Sequence, residues 1–322
     1  MRRRGAGTVI LGIAVGVLVF QGGGAGAGEK QYVVATSVAN KTTPFDSHID
    51  GVFEKEFKKS PNIRHIATDG QGKVDRQIAT IEDMIARKAD FLVVKPIEEK
   101  AIAEPLCKAT QRGVKVITFD RKVVGECFTV QLVNDSVKIG EMTADLLAKT
   151  LKNKGAVVVL EGVPGSTSAL DFKKGFEGAL KKHPEIKILA SQTANYNQAQ
   201  GLKLMENYLQ AHPNQIDAVF AHNDQMAFGA LIAIQNAKIP AGRIKVFGSN
   251  GSTDAIKKIL DGEMESSALY RHGAEDAIQA VLDLMAGKSV AKINVLEPEM
   301  ISRENAKEYY VAGTFMPSPR GR

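Results

Sequence analysis

Cysteine is scarce in this sequence, with two residues in a chain of 322. So few cysteines exclude a small disulfide-dense scaffold and any multi-cysteine zinc or iron–sulfur centre. Strong compositional bias is also absent, because 44% of the residues are hydrophobic and 24% are charged. That balance excludes wholesale disorder and a polytopic membrane protein, and the length predicts two domains at ~150 residues each.

A large excess of one charge is also missing. The chain has 42 basic and 36 acidic residues, but Arg2, Arg3 and Arg4 lie in the first 27 residues, which contain no Asp or Glu. The remainder carries 39 basic and 36 acidic residues spread along its length. This near balance argues against a nucleic-acid-binding protein.

The common catalytic motifs are absent as well. The sequence lacks G-x-G-x-x-G, G-x-x-x-x-G-K-[ST], G-x-S-x-G and H-E-x-x-H, and its six histidines show no metal-ligand spacing. An enzyme remains an alternative through Asp120 and Asp224 as an acid/base pair. However, Arg121 beside Asp120 favours the ionised carboxylate, which makes a poor general acid.

The N-terminus has the organisation of a signal peptide. The cationic Arg2–Arg4 precedes an apolar run over Thr8–Phe20, and Ala25-Gly26-Ala27 forms an A-x-A cleavage site. The apolar run is short for the ~20 residues of a membrane-spanning helix, and no cysteine near the site offers a lipid anchor. We therefore predict cleavage after Ala27 and a soluble, periplasmic protein.

Export gives the two cysteines an oxidising environment. Cys107 falls in a predicted helix and Cys127 in the loop after the next strand. A disulfide between them would stabilise the fold by roughly 3 kcal/mol, and two buried free thiols are the alternative.

Past residue 28, eleven short apolar or β-branched runs alternate with amphipathic stretches at helical spacing. The runs begin with Tyr32–Thr36 and end with Ile293–Leu296. Strands interleaved with helices form parallel sheets covered on both faces. Eleven strands are too many for one sheet of this size, so we predict an α/β protein of two doubly wound domains.

Ligands of such sheets bind beyond the carboxyl ends of the strands. Carboxylate, guanidinium, amide, hydroxyl and aromatic groups follow the predicted strands, in Thr43–Asp46, Asp120-Arg121, Gly165–Ser168, Asn195–Asn197, Asn223-Asp224, Ser249–Gly251 and Tyr270-Arg271. Planar polar groups bond adjacent hydroxyls, and aromatic faces cover the C–H surface of a ring, so the mixture suits a polyhydroxylated ligand. Each position alone also fits a helix cap. Beside Asn223, His222 is either a packed or solvated histidine or part of this cleft.

Three of these segments carry a family resemblance: Val114–Arg121 (VKVITFDR), Ala190–Leu202 (ASQTANYNQAQGL) and Ala218–Ala230 (AVFAHNDQMAFGA). The chain resembles the ribose-binding protein family, the periplasmic sugar-binding proteins of bacterial ABC importers. The resemblance implies two lobes joined by a three-stranded hinge, with one ligand between them and no cofactor. The N-terminal lobe would comprise 28–134 plus 271–298, and the C-terminal lobe 135–270 plus 299–322.

The resemblance also implies which residues contact the sugar: Phe45, Asp120, Arg121, Tyr196, Asn223 and Tyr270. Two positions depart from the family pattern, because Phe172 stands where the family has an arginine and Asn250 where it has an aspartate. A site built to bond one hydroxyl rejects ligands that lack it. We therefore expect another sugar or a short polyol rather than ribose, with Phe172 and Asn250 in the pocket.

The implied partners are an ABC permease in the inner membrane and, as an alternative role, a chemoreceptor or sensor kinase. The protein itself is expected to be a monomer. Transcription regulators of the lac-repressor type share this two-lobed core but begin with a helix-turn-helix. The arginine-led hydrophobic segment in that place argues against DNA binding.

Overall fold

The structure of the protein is a computed structural model, and it describes residues 30–316. The predicted signal peptide, residues 1–27, lies outside the described part. The described residues contain twelve strands: β1 Tyr32–Val38, β2 Ile63–Asp69, β3 Phe91–Val94, β4 Lys115–Asp120, β5 Val130–Asn134, β6 Gly155–Glu161, β7 Ile186–Thr193, β8 Ala218–Ala221, β9 Lys245–Ser249, β10 Ser266–Leu269, β11 Ile293–Leu296 and β12 Glu299–Ser302.

Helices lie between most of the strands. Their bounds are α1 Pro44–Phe57, α2 Val74–Ala86, α3 Ala103–Gln111, α4 Ser136–Thr150, α5 Thr167–Leu180, α6 Gln198–Ala211, α7 Asp224–Asn236, α8 Thr253–Leu260, α9 Ala274–Met285 and α10 Ala306–Tyr309.

The strands form two six-stranded sheets. The first has the order β11-β5-β4-β3-β1-β2 and is parallel throughout. The second has the order β12-β10-β9-β8-β6-β7 and is parallel except for β12, which runs antiparallel to β10. The predicted fold class, two doubly wound α/β lobes, is confirmed.

The chain passes between the two sheets three times: after β5, after β10 and between β11 and β12. These three connections form the hinge. The lobe boundaries given above agree with this topology but stay a prediction to the residue.

Buried aliphatic and aromatic side chains pack on both faces of each sheet. Phe53, Phe57 and Phe119 form part of one cluster in the N-terminal lobe, where the Phe53 and Phe119 rings meet at 5.5 Å. Phe176 and Phe220 meet at 4.7 Å in the C-terminal lobe. Packing on both faces fixes the sheets and so fixes where their carboxyl ends project.

A disulfide joins Cys107 in α3 to Cys127 in the β4–β5 connection, with the two Cα atoms 4.8 Å apart. Of the two alternatives for these cysteines, the bonded one is correct. The bond ties α3 to the connection that follows Arg121, a predicted site residue.

None of the helices within residues 30–316 is both long and apolar enough to cross a membrane.

Candidate functional site: a cavity between the lobes

A cavity of about 500 Å³ lies between the carboxyl ends of the two sheets. That volume falls within the range of small-molecule sites. All eight predicted ligand-binding residues line it: Phe45, Asp120, Arg121, Phe172, Tyr196, Asn223, Asn250 and Tyr270. Residues from positions 45 to 270 thus meet at one place, and their roles as ligand contacts remain a prediction.

The wall from the N-terminal lobe is built around Lys95. Its Nζ lies 2.5 Å from Asp46 Oδ1 and 3.1 Å from Asp120 Oδ2, and 4.4 Å from the centre of the Phe45 ring. All three charged side chains are almost fully buried. Two carboxylates and an aromatic face share one ammonium group, which compensates its desolvation.

Arg121 completes this charged wall. Its Nη1 donates to the carbonyl oxygens of Pro96 and Ile97, at 3.1 and 2.7 Å, whereas its Nε is buried and has no hydrogen-bond partner within residues 30–316. Burial works to lower the pKa of Arg121, but Asp120 and other neighbours raise it overall. The guanidinium is therefore a fixed, permanently charged donor.

Three predicted site residues have left-handed backbone conformations. The φ angles are +69° at Asp120, +57° at Tyr196 and +131° at Asn250. Side chains other than glycine adopt such angles at a cost, and this strain concentrates at functional sites. Seven other non-glycine residues, among them Lys88 and Lys152, share positive φ angles, so the backbone conformation alone assigns no role.

Aromatic rings dominate the opposite side of the cavity. The Phe172 ring, 2% exposed, lies 5.1 Å from His222 and 6.0 Å from Tyr270 between ring centres. The Tyr270 hydroxyl donates to the backbone oxygen of Asp120 at 3.1 Å, and burial raises the Tyr270 pKa well above its ordinary value. The hydroxyls of Tyr196 and Ser168 lie 3.1 Å apart. These groups form a largely apolar wall.

The two asparagines combine a structural contact with a place in the cavity. Asn223 Oδ1 accepts from the Met226 backbone N–H at 2.9 Å and so caps α7. Its Nδ2 donates to the backbone carbonyl oxygen of Tyr196 at 3.1 Å. Asn250 Oδ1 accepts from the Asp224 backbone at 3.4 Å. The cap interpretation is thus correct for Asn223, which also lines the cavity.

His222 lies in the cleft rather than in solvent, because it is 1% exposed and lines the cavity. Gly162 N–H lies 3.2 Å from its Nδ1, and burial lowers the His222 pKa to about 3. The neutral ring therefore carries its proton on Nε2, which is sealed from solvent and has no partner among the described residues.

Asp224 serves the scaffold behind this wall. Oδ1 accepts from the Ser267 hydroxyl at 2.5 Å, and Oδ2 accepts from the backbone and hydroxyl of Ser252. Burial nevertheless raises the Asp224 pKa to about 7. Its oxygens hold α7, α8 and β10 together.

Sequence reasoning did not single out Lys95 or Asp46 as site residues. Lys95 directly follows β3, so the strand-end rule applied to that strand identifies it. Asp46 stands inside the segment Thr43–Asp46, beside the predicted Phe45. The pairing of the two charges depends on a contact across 49 residues, which sequence spacing does not reveal.

Two contacts join the lobes beside the cavity. The Thr167 backbone N–H donates to Glu99 Oε1 at 2.7 Å, and Lys122 Nζ lies 3.0 Å from Asp171 Oδ2. Both contacts end on α5, the helix that carries Phe172. No cluster of three or more His, Cys, Asp or Glu side chains suited to a metal ion occurs in residues 30–316.

Comparison with known proteins places these features in a family. The sequence model of the periplasmic binding protein domain matches residues 34–289. The chain is 33% identical to the ribose import binding protein of Bacillus subtilis (strain 168) over 266 residues, which are 82% of this chain and 85% of that protein.

Solved structures agree in fold. An ABC transporter solute-binding protein from Mycobacterium smegmatis with bound glycerol superposes with a TM-score of 0.83 and 26% identity, covering 89% of this chain and 100% of that one. The myo-inositol-binding protein of Caulobacter, bound to myo-inositol, gives a TM-score of 0.81 and 28% identity, covering 86% and 95%. The chain therefore belongs to the periplasmic binding protein family, in its ribose-binding-protein-like group of sugar-binding proteins.

Proposed function

We propose that this protein is exported to the periplasm, encloses an uncharged sugar or short polyol between its two lobes, and delivers it to an ABC permease in the inner membrane. The observation that carries the proposal is the convergence of the eight predicted residues, from both lobes, around one cavity. The function is binding without a chemical step, and the protein acts as a monomer.

Charge pairing in the cavity wall supports an uncharged ligand. Lys95 and Arg121 are matched by Asp46 and Asp120, and the ammonium group lies within 3.1 Å of both carboxylates. A charged ligand would find no surplus counter-charge in this balanced wall, or would take one from its present partner, and either costs several kcal/mol. Hydroxyl groups instead accept from Arg121 and donate to Asp120 without changing the net charge.

In the proposed mechanism each lobe holds one side of the ligand. Asp120 and Arg121 bond hydroxyls from the N-terminal lobe, and the amide groups of Asn223 and Asn250 bond the ligand from the other lobe. The rings of Phe45, Phe172, Tyr196 and Tyr270 cover its C–H faces. Ligand bound to both lobes shifts the open–closed equilibrium towards the closed form, and the permease recognises that form.

The relatives named above support this class of ligand. Ribose, glycerol and myo-inositol, the compounds in their names and titles, are all neutral and polyhydroxylated. They differ in size and shape, so they indicate the chemical class and leave the individual compound open.

A thermal-shift panel tests the proposal directly. The purified protein would be heated with pentoses, hexoses, tetritols, pentitols and cyclitols, and calorimetry would measure each hit. Ligand at 100 times its dissociation constant adds about 2.7 kcal/mol, which raises the melting temperature by several degrees. If no compound of the panel raises the melting temperature and no small molecule is released on denaturation, sugar or polyol binding is contradicted.

A further inference from the structure

The two walls of the cavity differ in the hydrogen-bonding groups that they offer. Four of the cavity's acidic and basic side chains, Asp46, Lys95, Asp120 and Arg121, belong to the N-terminal lobe, whereas the C-terminal lobe adds only the carboxyl group of Asp224 to the lining. Bonds to charged groups are stronger than bonds between neutral ones. The hydroxyl-rich part of a ligand is therefore held best on this side.

On the C-terminal wall, the side-chain oxygens of Asn223, Asn250 and Asp224 each accept at least one hydrogen bond from the protein. Asn223 Oδ1 accepts from Met226 N–H, Asn250 Oδ1 from Asp224 N–H, and both Asp224 oxygens from serines. The remaining N–H groups of the two asparagines are donors. The hydroxyls of Ser168 and Tyr196 line the same lobe and can both donate and accept, so it is the ring surface of Phe172 that offers a ligand hydroxyl no acceptor.

Phe172 occupies the middle of this wall. The ring is 2% exposed and is flanked by the rings of His222 and Tyr270. His222 Nε2 is buried and has no hydrogen-bond partner among residues 30–316. A hydroxyl pressed against this surface loses water without gaining a partner, whereas a CH₂ or CH₃ group packs well.

From this asymmetry we infer that the ligand is a deoxy sugar or deoxy polyol, with hydroxyls facing Asp120 and Arg121 and a deoxygenated carbon facing Phe172. The inference rests on the proposed function and narrows its ligand class. It predicts that removing one hydroxyl strengthens binding, the opposite of the result for a uniformly polar cavity. The expected gain is at least tenfold in affinity.

Calorimetry with matched pairs tests this. Each pair differs by one hydroxyl: 2-deoxy-D-ribose and D-ribose, L-rhamnose and L-mannose, L-fucose and L-galactose, 6-deoxy-D-glucose and D-glucose. The inference expects the deoxy member to bind at least tenfold more tightly in one pair or more. Tighter or equal binding by the hydroxylated member of every pair, or binding confined to fully hydroxylated polyols outside the pairs, overturns it.

Variants of α5 test whether Phe172 sets the preference. Phe172→Arg should shift the preference towards the hydroxylated member, and Phe172→Leu should keep the wild-type order because it stays apolar. Leu170→Arg adds the same charge at a 56% exposed position of the same helix, away from the wall, and should leave the preference between the two members unchanged. An unchanged preference in a folded Phe172→Arg protein overturns the assignment of this residue.

The same experiments separate the two levels of the proposal. If hydroxylated sugars bind and deoxy sugars bind no better, the solute-binding function stands and the deoxy inference fails. If no sugar or polyol of either kind binds, the proposed function fails and the inference fails with it. Should Phe172→Arg not fold, the Phe172→Leu variant and the wild-type pairs still decide the outcome.

Discussion

Glu99 of the N-terminal lobe accepts a hydrogen bond from the backbone N–H of Thr167, the first residue of α5 in the C-terminal lobe, at 2.7 Å. Glu99 is 3% exposed, and no Lys or Arg in residues 30–316 forms an ion pair with it. Its carboxylate instead meets the positive end of a helix. The contact connects the N-terminal lobe, which carries Lys95 and Arg121, to the helix that carries Phe172.

We expect Glu99→Ala to weaken ligand binding by roughly tenfold, because a hydrogen bond to a charged group is lost and this bond exists only when the lobes meet. The melting temperature of the ligand-free protein should change little. Calorimetry and a thermal melt measure the two quantities. Glu104→Ala, at an exposed site in the first turn of α3, is the matched control, and equal affinities for the two variants would contradict a role for Glu99 in closure.

Lys95→Met should destabilise the fold by 3–5 kcal/mol, because the buried carboxylates of Asp46 and Asp120 lose their shared cation. Urea unfolding measures the loss. The double variant Lys95→Met with Asp46→Asn should recover part of it, since one of the two stranded charges is removed. Lys108→Met, which removes an exposed pairing with Glu104, should stay within about 0.5 kcal/mol of wild type. A Lys95→Met protein as stable as this control would be inconsistent with the pairing.

The strand-and-helix alternation predicted the fold because both sheets are built from local, buried runs. The antiparallel β12 was missed, since only Ile301 of its four residues is buried and no alternation marks it. Helix α7 was not identified either, because it is buried over most of its surface and lacks a polar face at helical spacing. Tertiary packing, rather than a pattern in the sequence, determines these elements.

For the site, the strand-end rule and the family resemblance together predicted which residues meet. They did not predict the Lys95–Asp46 pair or the contact between Glu99 and Thr167, because both depend on lobes and loops brought together from far along the chain. Nor did they predict that Asn223 would be a helix cap and a cavity residue at once. A dual role of this kind depends on where the side chain lies in three dimensions, which the sequence does not show.

Reduction of the Cys107–Cys127 bond should lower the free energy of unfolding by roughly 3 kcal/mol, because a loop spanning 20 residues is released in the unfolded chain. Urea unfolding with and without a reductant measures the difference. The double variant Cys107→Ser with Cys127→Ser should resemble the reduced protein and ignore the reductant. A wild-type midpoint that does not respond to full reduction would show that the bond contributes nothing.

Arg121→Ala should weaken binding by about 2–4 kcal/mol, because a buried charged donor is lost from the ligand site. Arg121→Lys should restore little, since an ammonium group cannot hold the Pro96 and Ile97 carbonyls and still present the planar fork of a guanidinium. Calorimetry with the best ligand of the panel measures both variants. Arg112→Ala, at an exposed site just beyond α3, is the control, and an Arg121→Ala affinity within threefold of wild type would remove the residue from the site.

Asp224 should make the stability of the protein depend on pH. Burial raises its pKa in the folded state to about 7, whereas the unfolded carboxyl titrates near ~4. Between these values the folded state keeps a proton that the unfolded state has released, so the free energy of unfolding falls as pH rises from about 4 to about 7. Over these three pH units the free energy of unfolding falls by an amount on the order of 4 kcal/mol.

His222 acts in the opposite direction, since its pKa of about 3 means that stability is lost as pH falls below about 6.5. The comparison of wild type with Asp224→Asn cancels this contribution, because both proteins contain His222. Relative to wild type, Asp224→Asn should gain stability as pH rises from 4 to 7.5 in urea unfolding. Asp75→Asn, at an exposed site on α2, should follow the wild-type curve throughout. A difference between Asp224→Asn and wild type that is constant with pH would mean that Asp224 stays ionised in the fold, held by its bonds to Ser252 and Ser267.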